Sequence, residues 1–255
     1  MSWDPAQYMK FGDERLRPGF DLLARVGELP PGTLIELGCG TGVHARAIAA
    51  RWPGRDMLAI DNSPEMLKQA AAEPSRIRWQ QADLRQWQIP AGAALIFSNA
   101  VLHWIEDHRP LFERMMTALV PGGVLAVQMP RNFAAPSHVL MHETAASGPW
   151  ARRLMKGVDP KPVAAPDQYY DWLAGIARGG IDIWETEYLH ILSGEDPVLA
   201  WVRGTWLRPL TAPLDAAERA EFERRYAEKL RAAYPRRPDG KTVFPFRRIF
   251  IVART

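Results

Sequence analysis

Residues 34–42 have the sequence Leu-Ile-Glu-Leu-Gly-Cys-Gly-Thr-Gly, in which a short apolar run is followed by three glycines at alternate positions. This pattern predicts a buried β-strand that ends in a tight turn and continues into a helix. Glycine has no Cβ, so such a turn brings backbone close to a ligand. The stretch therefore predicts a site for a nucleoside-bearing cofactor, and the turn alone does not decide which one.

The segments around this turn alternate between strand and helix. A strand at Thr33–Leu37 is followed by a helix at Val43–Arg51, and Ser63 with Pro64 has the pattern of a helix start. Further strands are predicted at residues 56–60, 76–80, 93–98 and 124–129, a helix at 107–119, and a turn at 121–123 just before the fifth strand. Such alternation predicts an α/β fold with a doubly wound, mostly parallel sheet.

The pattern changes after residue 130. Residues 182–192 and 246–253 have strand character and should complete a seven-stranded sheet, while the intervening segments are mostly helical. We expect one domain over residues 1–255, with a core of about 30–130, 180–192 and 244–255. Helical cap insertions at about 131–178 and 196–242 should then cover the carboxyl edge of the strands, where ligands bind in open α/β sheets.

Composition restricts the class of protein. An apolar content of 47% over 255 residues supports a globular core. No apolar run is long enough for a membrane span, and the first residues lack the apolar region of a signal peptide, so we expect a cytoplasmic protein. The single cysteine, Cys39, excludes an intrachain disulfide and a cysteine-based zinc site, and we expect no metal. A net charge of +3 is too small to imply nucleic acid.

Acidic residues at three strand ends narrow the choice of cofactor. Asp61 lies 19 residues after Gly42 and suits the ribose of either a dinucleotide or another nucleoside. Glu36 precedes the turn, where a pyrophosphate gains nothing from negative charge, so the cofactor should carry a cation there. Asp83 can accept from an adenine amine. Glu36 as a buried strand-end acid and Asp83 as a helix cap are the alternatives.

This series of motifs resembles that of class I S-adenosylmethionine methyltransferases, with Ser98-Asn99-Ala100 at the fourth strand end. The resemblance implies S-adenosyl-L-methionine as cofactor and S-adenosyl-L-homocysteine as product. It places the turn and the residue before it against the methionine part, Asp61 at the ribose, Asp83 and Leu84 at the adenine, and Asn99 and Ala100 beside the sulfonium. The turn residues are Glu36, Gly38, Cys39, Gly40 and Gly42, and Asn62 is a further cofactor-binding candidate.

Five further segments closely resemble the trans-aconitate 2-methyltransferase family: residues 1–18, 99–108, 124–141, 206–210 and 244–254. This resemblance covers nearly the whole chain and implies a carboxyl O-methyltransferase that forms the monomethyl ester of trans-aconitate, a tricarboxylate. The family's glycine loop often has the sequence GCGPGN. Thr41 and Val43 depart from it here, which should not affect cofactor binding.

Carboxylate chemistry fits the absence of a dedicated acid–base pair in the sequence. A carboxylate is already ionised at neutral pH, so it needs positioning near the methyl group and exclusion of water. Arginines should hold the carboxylates that do not react. Arg247 and Arg248 are neighbours in a strand and point to opposite faces, so only one can be a ligand. The candidate arginines are Arg15, Arg17, Arg208, Arg247 and Arg248, and we select Arg17, Arg208 and Arg247.

Aromatic residues complete the predicted substrate site. Trp104 follows the fourth strand end closely and should wall the site of methyl transfer, with His103 beside it. His103 could bond a substrate carboxylate, or it could be a loop histidine bonded to backbone. Tyr8, Tyr169 and Trp206 are the other predicted pocket residues.

Three other functions compete with this hypothesis. Methylation of another small acid or a phenol would keep the cofactor, and a phenol would use His103 as its base. Methylation of nucleic acid would need a Pro-Pro-aromatic motif after Asn99, or a nucleophilic cysteine, and neither is present. A protein that binds S-adenosylmethionine without catalysis is the third. The sequence leaves open a monomer or a homodimer, and it predicts neither a membrane nor a nucleic-acid partner.

Overall fold

The apolar residues of the 34–42 stretch form β1, at the centre of a seven-stranded sheet with the order β3-β2-β1-β4-β5-β7-β6. The computed structural model describes residues 12–154 and 163–255. Strands β1 to β5 are parallel, and β7 is antiparallel to both of its neighbours. The predicted fold class is therefore confirmed. The strands are β1 (Thr33–Leu37), β2 (Met57–Asp61), β3 (Arg78–Gln81), β4 (Ala93–Asn99), β5 (Leu119–Pro130), β6 (Ile181–Leu192) and β7 (Thr242–Arg254).

Helices cover both faces of the sheet, so its central strands are mostly apolar. In β1, Leu34 belongs to the apolar cluster on one face, which includes Leu22, whereas Ile35 belongs to the cluster on the other face, which includes Phe112. None of the described helices is both long and apolar enough to cross a membrane. The helices are α1 (Gly12–Arg25), α2 (Val43–Arg51), α3 (Pro64–Ala70), α4 (His108–Ala118), α5 (Pro136–Ser147), α6 (Ala151–Leu154), α7 (Pro166–Leu173), α8 (Pro197–Arg203), α9 (Leu207–Thr211) and α10 (Ala216–Ala233).

Strands β6 and β7 extend beyond the rest of the sheet. β7 pairs with β6 from Thr242 onwards, but it pairs with β5 only from Arg248 onwards. The upper part of β7 therefore rises past the carboxyl end of β5. There Phe244 and Phe246 pack into a separate apolar cluster with helices α5, α8 and α10. This arrangement places residues 247 and 248 at the level where β5 ends.

Several predicted boundaries differ from the structure. The fifth strand starts at Leu119 and not after residue 123, because Gly122, with a φ of 76°, lies inside the strand and a register shift next to it keeps the pairing with β4. The last strand starts four residues earlier than predicted, at Thr242. The start of α3 is as predicted, since the Ser63 hydroxyl accepts from the Met66 amide at 3.3 Å.

Candidate functional site

The turn after β1 has the conformation that its glycines predict. Gly38 and Gly40 have φ angles of 71° and 53°, in the left-handed region that favours glycine. A Cβ on Gly38 would come within 2.2 Å of the Val101 side chain. A Cβ on Gly40 would meet no heavy atom within 4 Å and would instead occupy open space. Gly40 therefore forms a cradle that a ligand can fill.

Asp61, at the end of β2, holds this turn in place. Its Oδ2 accepts from the Gly40 amide at 2.8 Å, and its Oδ1 accepts from the Ser63 amide at 2.9 Å. Each oxygen keeps a second lone pair for a ligand hydroxyl. The residue predicted to bind ribose therefore also fixes the backbone of the glycine turn.

A cavity of about 280 Å³ lies above the turn at the carboxyl edge of the sheet. It collects all the predicted cofactor residues except Glu36 and Gly42, and Trp104 also lines it. The predicted residues in its lining are Gly38, Cys39, Gly40, Asp61, Asn62, Asp83, Leu84, Asn99 and Ala100. Leu16, His44 and Arg85 also line the cavity and were not predicted, since nothing in the sequence marks a helix or loop residue as facing this edge.

Glu36 does not face this cavity, contrary to the prediction. It is 1% exposed and lies on the face of β1 that packs against α2, with its Oε1 3.9 Å from His44 Nδ1. Burial, together with the charge of Asp61, raises the pKa of this carboxyl group. Its Oε2 has no hydrogen-bond partner among the described residues. A cationic ligand in the neighbouring cavity would favour the charged form of this buried carboxyl group.

Asp83 lines the cavity and already has a partner. Its carboxylate accepts from the Arg85 guanidinium, with Nε at 2.9 Å, and from the Arg85 amide at 3.0 Å. This hydrogen bonding lowers the pKa of Asp83 to about 2. No helix starts at Asp83, so it is not the helix cap that was the alternative. An adenine amine would share this carboxylate with Arg85.

An aromatic wall, made of Trp104 and Trp206, borders the cavity. The Trp104 and Trp206 rings stack with centroids 4.2 Å apart. His103 lies beside both rings, with centroids 4.9 Å from Trp104 and 5.8 Å from Trp206. The structure thus brings together three of the residues predicted for the substrate site. Phe133 packs edge-on against Trp206, with ring centroids 5.5 Å apart.

A buried positive charge lies behind this wall. Arg248 is 3% exposed, and its guanidinium is 4.5 Å from the Phe246 ring centroid. Burial lowers the pKa of His103 to about 3, and the charge of Arg248 lowers it further in the same direction. His103 is therefore neutral at physiological pH, and its Nδ1 has no partner among the described residues. The positive charge at this site comes from arginine.

Three more buried polar side chains border this region, and the sequence analysis missed them. His138, in the first turn of α5, lies 6.0 Å from the Trp206 ring, and burial lowers its pKa to about 4. Gln128 is opposite Asn99 in the sheet, and Asn132 precedes Phe133. No side-chain polar atom of these three has a hydrogen-bond partner among the described residues. We call His103, Gln128, His138 and Arg248 the buried polar cluster.

The three arginines that we selected as substrate ligands are exposed to solvent. Arg247 is exposed and points away from Arg248, as alternation along a strand requires. Arg17 is 70% exposed and lies 3.7 Å from Asp21. Arg208 is exposed on α9. None of these three residues, which we selected as substrate ligands, belongs to the buried polar cluster.

The arginine on the other side of α1 is buried instead. Arg15 is 4% exposed, and its Nη2 donates to the Trp201 carbonyl at 3.1 Å. Residues two apart on a helix face different directions, which explains why Arg15 is inside and Arg17 outside. Leu16, between them, lines the cofactor cavity. Helix α1 therefore contacts both the cavity and the cap.

Tyr169 is a core residue rather than a pocket residue, which corrects the prediction. It is fully buried against Phe112. Its hydroxyl donates to His108 Nδ1 at 2.6 Å and accepts from the Ala164 amide at 3.3 Å. A buried tyrosine whose hydroxyl makes two hydrogen bonds within the protein has a structural role. The remaining predicted residue, Tyr8, lies outside the described residues.

Comparison with known proteins agrees with this geometry. A family model described as a methyltransferase domain matches residues 34–123. The chain is 44% identical over 254 residues to a trans-aconitate 2-methyltransferase of Azoarcus sp., covering 99% of this chain and 98% of that protein. It is 47% identical over 261 residues to a protein of the same name from Streptomyces avermitilis, covering 99% and 96%.

Solved structures support the fold. The YcgJ protein from Bacillus has a TM-score of 0.60 at 13% identity, with 94% of this chain and 98% of that chain covered. An S-adenosylmethionine-dependent methyltransferase from Mesorhizobium loti has a TM-score of 0.51 at 23% identity, covering 92% and 96%. At these identities the similarity concerns architecture alone.

Proposed function

The chain belongs to the trans-aconitate 2-methyltransferase family, and we propose that it transfers a methyl group from S-adenosylmethionine to one carboxylate of trans-aconitate. The observation that carries the proposal is the position of Trp104. This ring lines the cofactor cavity and stacks on Trp206 next to the buried polar cluster. A cofactor bound in the cavity and an acceptor bound at the cluster would therefore both lie next to the Trp104 ring.

The cavity fits the cofactor by its donors and acceptors. Gly40 leaves room for close approach, Asp61 has free lone pairs for ribose, and Asp83 has an acceptor for adenine. Glu36, just before the turn, has one buried oxygen, Oε2, without a hydrogen-bond partner among the described residues. When bound, S-adenosylmethionine supplies an electrophilic methyl group on a sulfonium. The protein's part is to orient the acceptor and to exclude water.

The buried polar cluster fits a substrate with several carboxylates. Arg248 provides a desolvated guanidinium, which can form paired hydrogen bonds to a carboxylate. His103 and His138, when neutral, each offer one N–H donor. Together these groups can hold the carboxylates that do not react. The attacking carboxylate should be left less tightly paired, since a strong ion pair reduces its nucleophilicity.

The electrostatics favour a carboxylate acceptor over a phenol. A phenol has a pKa near 10 and would need a base at neutral pH. His103, the candidate base, has a pKa lowered to about 3 by burial and by the charge of Arg248. Such a group is a poor proton acceptor at neutral pH. A carboxylate acceptor needs no base, so the low pKa of His103 is no obstacle to its methylation.

A product assay tests this proposal. Enzyme and methyl-labelled S-adenosylmethionine are incubated with trans-aconitate, a dicarboxylate or a simple phenol, and products are identified by mass spectrometry. We expect a single methyl ester per trans-aconitate and weaker or no transfer to the other acceptors. Efficient transfer to the phenol, or no ester with any carboxylate, would refute the proposal.

A further inference from the structure

A second cavity lies on the opposite side of β7 from the buried polar cluster. It has a volume of about 490 Å³, within the range of small-molecule sites, and shares no lining residue with the cofactor cavity. Its walls are the segment after β5, the chain that follows α10, and the exposed face of β7. The neighbours Arg247 and Arg248 thus point to different sites.

Arginines dominate the charge of this cavity. Arg131, Arg237 and Arg247 enter its lining from three separate elements, against one acidic lining residue, Glu187. Arg131 is held in place, since its Nη1 donates to Glu185 at 2.7 Å and its Nε to the Ala164 carbonyl at 3.1 Å. One arginine is therefore fixed by the protein, while the lining as a whole keeps a positive charge.

The other two arginines lack such partners. Within residues 12–154 and 163–255, neither Arg237 nor Arg247 has a carboxylate within 4.0 Å or a side-chain hydrogen bond to protein. Like charges converging on one cavity repel each other unless an anion lies between them. Asn132 adds an amide to the lining that is 4% exposed and has no partner among the described residues.

We propose that this cavity binds a small oxyanion with two or more negative charges, at a site distinct from that of methyl transfer. Guanidinium groups bind carboxylate and phosphate with the same paired geometry, so the shared chemistry is that of a multivalent oxyanion. Arg237 and Arg247 would bind it directly. The ordered guanidinium of Arg131 would complete the positive field.

Calorimetric titration of the full chain, saturated with S-adenosylhomocysteine, tests the proposal with citrate and inorganic phosphate as probes. We expect a binding event that Arg237→Gln/Arg247→Gln weakens by about tenfold or more, because charge-assisted hydrogen bonds are lost, separate from any binding of citrate at the proposed active site. The matched control, Arg76→Gln/Arg178→Gln, removes two exposed charges outside the lining and should keep the event. The probe that binds more tightly identifies the carboxylate or phosphate source.

Three further results decide the outcome. Arg248→Gln should leave this event intact, which separates it from tricarboxylate binding at the proposed active site. Arg237→Lys/Arg247→Lys keeps the charges and should bind weakly but measurably, which guards against a glutamine variant that fails to fold. Absence of any event up to about 10 mM of either probe, or equal weakening in the control variant, would overturn the proposal.

Discussion

The cofactor cavity and the buried polar cluster lie on two sides of Trp104 but are built in different ways. The cavity is made by turns that directly follow β1, β2, β3 and β4, so its residues are fixed by strand ends. The cluster draws His103, His138 and Arg248 from a short 3₁₀ helix, α5 and β7. The first carries carboxylates that suit a cationic cofactor, and the second carries a guanidinium that suits the anionic acceptor we propose.

This difference separates two tasks. Sheet geometry alone holds the cofactor site, because parallel strands end at one edge. The proposed acceptor site depends on α5 and on the long β7 strand, which hold His138 and Arg248 away from solvent. Changes in one region should therefore affect binding of one ligand and spare the other.

The largest predicted effect concerns the two neighbouring arginines. Arg248→Gln should lower kcat/KM for trans-aconitate by at least about 100-fold, because a buried charge that holds a carboxylate is lost. Arg247→Gln, on the exposed face, should change it by less than about threefold. Steady-state kinetics measure both. Equal losses would show that the cluster is not the acceptor site, and S-adenosylhomocysteine should bind both variants normally.

The next effect tests the cofactor side. Gly40→Ala should weaken S-adenosylhomocysteine binding by about tenfold, since the added methyl group enters the cradle and strains a left-handed residue. Gly54→Ala is a matched control: Gly54 also has a positive φ and open space around it, but it lies outside the cavity. Calorimetry that showed equal affinities for the two variants would contradict the assignment.

A smaller effect checks the boundary of the acceptor site. Tyr169→Phe should lower the free energy of unfolding by about 1–2 kcal/mol, because the Tyr169 hydrogen bonds to His108 and Ala164 are lost. Its KM for trans-aconitate should not change. The exposed neighbour gives the control Tyr170→Phe, which should alter neither quantity. A raised KM in Tyr169→Phe, with unchanged unfolding in urea, would instead indicate that Tyr169 contacts the substrate.

The smallest effect is a pH dependence. Burial lowers the pKa of His138 to about 4, below its ordinary value near 6.5. Between these values the unfolded chain binds more protons, so the free energy of unfolding falls as the pH falls. From pH 7.5 to 5.5, His138→Gln should reduce this fall by about 1 kcal/mol. His142→Gln, at a half-buried histidine, should reduce it less, and a reversed order would contradict the account.

The cofactor half of the site was largely predictable because its signals are local. Alternating glycines after an apolar run, and acids after the next two strands, fix both fold and cavity. The predictions of fold, family, methyltransferase activity and cofactor are confirmed. Glu36 was misplaced because the alternation of β1 turns it under α2, although its position before the turn suggested the cavity.

The acceptor half was less predictable for a physical reason. A strand pattern shows that Arg247 and Arg248 face opposite sides, but not which side the cap covers. Likewise, Arg15 and Arg17 differ only in their direction on α1. His138 carries no local signal, since a histidine in a first helical turn is usually exposed to solvent. These choices depend on packing between elements far apart in the chain.

The most direct test of the central claim is a crystal structure of the chain with S-adenosylhomocysteine and trans-aconitate. The account predicts the tricarboxylate beside Trp104 and Trp206, with one carboxylate paired to the Arg248 guanidinium. A tricarboxylate bound only at Arg247 in the second cavity, or one that does not contact Arg248, would contradict it.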